Sequence, residues 1–130
     1  MTTPDVELRL PADRAFAAVL RTATAGLAAR LDFTLEEIED ARIAVGEAAA
    51  LALEAAAPGA DLTISYWLEP GRLTATVATP AVEPRHPDPS SFAWTVLATL
   101  ADARCDTADG VLSITLVTTS LVNTRSHELP

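Results

Sequence analysis

Hydrophobic and polar positions change period several times along the chain, and each change marks an expected element. Val6, Leu8 and Leu10 alternate with Glu7 and Arg9, the two-residue period of a half-buried strand, and Pro11 stops it. From Asp13 to Arg30 the apolar Phe16, Val19, Leu20, Ala23 and Leu27 recur every three or four residues, which predicts a helix with Arg14, Arg21 and Arg30 off its apolar stripe. After a break at Leu31 to Phe33, Thr34-Leu35-Glu36-Glu37 forms a capping-box pattern: the Thr34 hydroxyl and the Glu37 carboxylate each satisfy a free backbone donor. The second helix it opens carries Leu35, Ile38, Ala41, Val45, Ala48, Ala49, Ala52 and Ala56 on one face, small side chains that permit close approach to another layer, until Pro58-Gly59 ends it.

Asp61 to Leu68 and Leu73 to Thr79 are rich in β-branched and apolar residues, and Glu69-Pro70-Gly71-Arg72 between them reads as a hairpin turn. Pro80 to Pro89 holds four prolines and no glycine, an extended segment of about ten residues that reads as a binding loop or a lid. Helical spacing returns at Phe92, Val96, Leu97 and Leu100, with Ser90 or Ser91 as cap and an expected end near Ala103. Asp106 to Gly110 then turns the chain into a last long strand, Val111 to Thr119, paired with a short one near Arg104 to Asp106. The order β-α-α-β-β-α-β-β predicts an α/β sandwich, also classed α+β: a mixed, mostly antiparallel sheet with three helices on one face. One domain over residues 5–119 and a flexible tail over 120–130 are expected.

Charge and composition narrow the chemistry. Nine arginines, no lysine and eighteen acids give a net charge of −9, which argues against direct contact with nucleic acid and for attraction to a basic protein surface. The single Cys105 excludes an internal disulfide and reads as a small buried residue. His86 and His127 lack companions at metal-ligand spacing, so no metal site is expected. No leader pattern and no apolar run near ~20 residues is present, so the expected location is the cytoplasm, with no membrane contact.

The succession strand, LPAD, helix with an arginine near its middle, LDFTLEEIED and IAVGEA resembles anti-sigma factors of the RsbW type, serine kinases built on the histidine-kinase-like ATPase fold. The resemblance runs from about Val6 to Thr119, and points to a branch of such factors in high-GC bacteria. It implies that Glu47 stands at the general-base position of the family motif E-x-x-x-N, in which the asparagine helps hold Mg²⁺ on ATP. Here Glu47-Ala48-Ala49-Ala50-Leu51 keeps the base position and puts Leu51, which offers no oxygen, at the metal position. At the family's D-x-G-x-G, whose aspartate accepts the adenine amino group, the chain has Val77-Ala78-Thr79-Pro80-Ala81, with Thr79 nearest the aspartate. The family's lid is glycine-rich, yet no glycine stands between Gly71 and Gly110. Leu51 and Thr79 are therefore vestigial cofactor positions, and no bound cofactor is expected, with ATP and Mg²⁺ left open as the alternative.

The resemblance also implies partners: a sigma factor, an anti-anti-sigma protein of the STAS type and a second copy in a homodimer. Arg21 matches the first-helix arginine used on both protein partners, and Ala17, one turn earlier, is a further partner-binding position. The preferred expectation is an anti-sigma factor that sequesters an alternative sigma factor and is released by its antagonist without ATP turnover. The alternative is an active serine/threonine kinase of the antagonist with Glu47 as base, and a third class is a small-molecule sensor using the emptied cleft. Without the resemblance, Glu47 reads as a solvated acid and Arg21 as an ordinary polar helix position. Ile43 and Leu51 fill the old pocket or form an apolar contact patch. Trp94 reads as core, and Trp67, opposite Tyr66, fits either role.

Overall fold

The computed structural model describes residues 2–121. Strand β1 (Val6–Pro11) leads through a 3-10 turn (Arg14–Phe16) into α1 (Ala17–Arg30), followed by α2 (Leu35–Ala55), β2 (Asp61–Glu69), β3 (Arg72–Pro80), α3 (Phe92–Leu100), β4 (Asp102–Ala108) and β5 (Val111–Thr119). The five strands form one sheet in the order β1-β2-β3-β5-β4. Every pairing is antiparallel, so the parallel component expected of a mixed sheet is absent among the described strands. Alternation along the strands sends Leu62, Ile64, Tyr66, Leu73, Ala75, Val77, Leu112, Ile114 and Leu116 to one buried face. The helices cover that face, with α2 over β3 and β5 between α1 and α3.

Local chemistry accounts for most element ends. Thr34 and Glu37 form both halves of the capping box, Glu37 N donating to Thr34 Oγ1 at 3.2 Å and Thr34 N to Glu37 Oε1 at 2.9 Å. Helix α1 closes in a Schellman turn: Asp32 takes the left-handed φ of 60°, Phe33 N donates to Ala28 O and Asp32 N to Ala29 O. The β2–β3 hairpin turns on Pro70-Gly71, with Gly71 at φ 73°. Ser91, and not Ser90, caps α3 by accepting from Trp94 N.

Several expectations need correction. Helix α3 stops at Leu100 rather than near Ala103, because Asp102 already pairs with Val117 and β4 is a full seven-residue strand. The turn that follows β4 is only Asp109-Gly110, both at positive φ (52° and 76°), the two-residue geometry that matches strand twist. Val19, Leu35 and Phe92, placed on apolar stripes, are exposed at 47%, 87% and 81%. Leu35 and Phe92 are the first residues of their helices, where the chain has not yet reached the sheet. Thr24 is instead fully buried in α1: its hydroxyl donates to Leu20 O at 2.9 Å and lies 2.8 Å from Tyr66 Oη. Since that proton is committed to Leu20, Tyr66 is the donor to Thr24, and the pair pins α1 on β2. Cys105 and Trp94 pack in or against the core, as expected.

The expected tail begins at Ser120, which is fully buried and donates to Glu37 Oε1 at 2.8 Å, while Leu121 N donates to Glu37 Oε2 at 3.1 Å. Residues 122–130, expected to fray, lie outside the described residues, as does His127.

Candidate functional site

Glycine is a poor helix former, yet the interior of α2 contains Gly46. The neighbouring helix explains its place. A methyl group at Gly46 would meet Arg21 Cδ at 3.3 Å, Cγ at 3.7 Å and Nη1 at 3.9 Å, so the Arg21 side chain lies across α2 where a Cβ is missing. Its stem is half-buried, and among the described residues its guanidinium has neither a carboxylate within ion-pair distance nor a hydrogen-bond acceptor. Ala17, one helical turn before Arg21, is half-buried on the same side of α1. The two expected partner-binding positions thus share a face.

Glu47 follows Gly46 on α2, half-buried and with no hydrogen-bond partner among the described residues. The solvated reading and the general-base reading both remain compatible with that position. Leu51, one turn on, is 7% exposed and lines a cavity of about 460 Å³ between the end of α2 and the segment after β3. Val82, Pro87 and Leu112 make much of the remaining apolar wall, and Glu54, Arg85 and His86 stand around it. Ile43 is 39% exposed and is not part of this wall, so of the two apolar residues only Leu51 lines the cleft. Glu47 does not line it either.

The segment over the cavity is extended and irregular from Val82 to Asp88, as its prolines require. Ala81 anchors its start by bridging to Ala56. At its end Asp88 Oδ1 accepts from Ser90 N and Ser90 Oγ, and these bonds hold the Asp88 carboxyl below its ordinary range. Arg85 and Glu83 pair with each other at 2.9 Å at the exposed mouth. Thr79 is 1% exposed, and its hydroxyl donates to Asp61 O at 3.0 Å, with a longer 3.4 Å approach to Pro80 O. Its proton is spent on backbone rather than offered to a ligand.

A trough of about 490 Å³ lies on the opposite, helix-free face of the sheet, around Trp67, Arg72, Thr74, Arg104 and Val117. It shares no residue with α2, and it explains Trp67: the ring is half-buried there and Nε1 donates to Thr2 O. Among the described residues no cluster of His, Cys, Asp and Glu is arranged to hold a metal ion, and no helix is long and apolar enough to cross a membrane. The pairing of Arg21 with Gly46 and the burial of Thr24 escaped the sequence reading. Only the glycine inside a helix was a visible signal.

No family model matches the chain. Over 56 residues, 43% of this chain and 35% of the relative, it is 38% identical to the serine-protein kinase RsbW of Bacillus pumilus (strain SAFR-032). The fold is similar to the crystal structure of the RsbU and RsbW domains of Rv1364c from Mycobacterium tuberculosis, at a TM-score of 0.67 and 20% identity over 89% of this chain and 33% of that one. It is also similar to the mycobacterial sensor histidine kinase MprB, at a TM-score of 0.55 and 11% identity over 86% of this chain and 97% of that one. The matches span about a third of the length of the Bacillus relative and of the Rv1364c structure. Together they support an RsbW-type protein on the histidine-kinase-like ATPase fold.

Proposed function

We propose that this RsbW-type chain is an anti-sigma factor that works by stoichiometric binding, sequestering an alternative sigma factor and yielding it to a STAS-type anti-anti-sigma protein. The observation that carries the reading is the contrast between the two halves of the helical layer. Among the described residues the Arg21 guanidinium has no partner, whereas Leu51 puts an apolar side chain into the cleft wall where a nucleotide's metal would have to be held. The residues around the cleft do not fit magnesium-bound triphosphate. A hard dication needs oxygen ligands, and Leu51 supplies none; the Thr79 hydroxyl is engaged by Asp61 O; and the covering segment has no glycine to bring backbone N–H groups close to phosphates. No phosphotransfer step is therefore assigned to Glu47. An arginine free of internal partners forms bidentate pairs with a carboxylate of another protein, and such arginines are frequent hot spots. The same face serves both protein partners, so release is competitive. The working form is a homodimer in the cytoplasm.

The test is capture of purified sigma factors of the source organism by wild type and by Arg21→Glu. Loss of capture in the variant is expected, and equal capture by both removes Arg21 from the interface. Incubation with Mg²⁺, labelled ATP and the cognate anti-anti-sigma protein is expected to leave that protein unlabelled. Label transfer abolished by Glu47→Ala would establish the kinase reading instead.

A further inference from the structure

Arginine is a long, flexible side chain that loses rotamer freedom whenever a partner fixes it, so an arginine already held in place binds with a smaller entropic cost. Arg21 is half-buried, and Gly46 determines how it lies. The three heavy atoms nearest the missing Cβ, at 3.3, 3.7 and 3.9 Å, all belong to Arg21. A Cβ at position 46 would stand 3.3 Å from Arg21 Cδ, tighter than packed carbons ordinarily make, so the Arg21 stem would have to shift by a few tenths of an ångström. The glycine φ is helical and not left-handed, so the backbone does not require glycine there. The remaining glycine inside a helix, Gly26 of α1, has open space around it.

We propose that Gly46 is a positioning residue for partner recognition: its absent side chain forms the seat across which Arg21 is laid, pre-ordering the guanidinium for a carboxylate of the bound protein. This rests on the reading of Arg21 as a partner-binding residue. The seat also explains why α2 tolerates glycine in its middle, where alanine, used at seven other positions of the helix, would be the better helix former. The partner it fits is an acidic side chain on an exposed helix or loop, reached by a planar guanidinium fork.

The experiment compares wild type, Gly46→Ala, Gly46→Leu, Arg21→Ala and the double variant Arg21→Ala/Gly46→Leu. Two quantities are read: the order of the Arg21 side chain, from the heteronuclear NOE of its Nε–Hε group, and the dissociation constant for the sigma factor captured by wild type. Alanine and leucine favour helix over glycine, so thermal stability is expected to hold or rise in both single Gly46 variants. The NOE is expected to fall from wild type to alanine to leucine. Affinity is expected to weaken by about threefold with alanine and about tenfold or more with leucine, the loss of one arginine anchor. Leucine is expected to cost nothing further once Arg21 is alanine.

An unchanged NOE in Gly46→Ala and Gly46→Leu overturns the seat, and so does a leucine penalty that persists without Arg21. Arg21→Ala without effect on affinity instead overturns the functional reading on which the proposal rests. The NOE series decides the ordering of Arg21 independently of any partner.

Discussion

Removing Thr24 or Tyr66 should have unequal consequences, because their hydrogen bonds run in one direction. Tyr66 donates to Thr24, and Thr24 donates to Leu20 O, with both side chains fully buried. Thr24→Val keeps the shape of the side chain but leaves the Tyr66 hydroxyl proton without an acceptor in a site closed to water. That exposes the full desolvation cost, about 1–3 kcal/mol. Tyr66→Phe leaves Thr24 still bonded to Leu20 O and removes only an accepted bond, which costs about 0.5–1.5 kcal/mol. The double variant no longer contains an unpaired hydroxyl, so it should be about as stable as Tyr66→Phe alone, with a coupling of about 1–3 kcal/mol between the sites, the whole of the Thr24→Val loss. Urea unfolding followed by far-ultraviolet circular dichroism at fixed protein concentration measures all four chains, and unchanged slopes would confirm that midpoint shifts report stability. Equal losses in the two single variants, or strict additivity in the double, would refute the assigned direction. The same burial raises the Tyr66 phenol above its ordinary value of 10.0, only partly offset by the Thr24 hydrogen bond. For a group raised on folding, stability is complete below the unfolded value and falls as pH rises past about 10, so Tyr66→Phe should flatten the alkaline limb of the profile.

Thr118 Oγ1 is buried without a hydrogen-bond partner among the described residues, so Thr118→Val should stabilise the protein by about 1 kcal/mol, read as a higher urea midpoint. Burial raises the Glu37 carboxyl, but hydrogen bonds from Thr34, Ser120 and Leu121 outweigh it and bring the group below its ordinary 4.5. Its stabilising contribution is present above the unfolded value and lost as pH falls through the lower folded one, so Glu37→Gln should flatten the acid limb below about pH 4.5. Leu51→Asn places an amide against Val82 and Leu112, and should lower stability by about 1–3 kcal/mol without producing a melting shift on addition of Mg²⁺ and ATP. A large nucleotide-dependent shift in that variant would mean that the asparagine position alone had been missing.

The strand and helix sequence was legible because period and capping chemistry agreed with each other, as at Thr34–Glu37 and across β5. Where periodicity was extended into a first helical turn it failed, since Leu35 and Phe92 precede the point where their helices meet the sheet. The burial of Thr24 left no trace in the pattern, because a tyrosine hydroxyl on a distant strand supplies its partner. Asp109-Gly110 carried a strong hairpin signal that was merged into a longer turn, which shortened β4 in the expectation. Ile43 and Leu51 were read on one face of α2, yet Leu51 joins the core cluster and lines the cleft beside Val82 while Ile43 is left exposed. Leu51 was legible as an apolar residue of that region, but which segment covers it was not. The seat of Arg21 required knowledge of which two helix positions meet.

The first turn of a helix ordinarily frays before the rest, since its N–H groups lack internal acceptors. Here the Glu37 carboxylate that serves that turn also holds Ser120 and Leu121, 83 and 84 residues away. Opening the start of α2 therefore requires releasing Ser120 and Leu121 just beyond β5, so the first turn of α2 and the end of β5 should exchange their amide hydrogens as one cooperative unit, and α2 should be protected from its first residues onward.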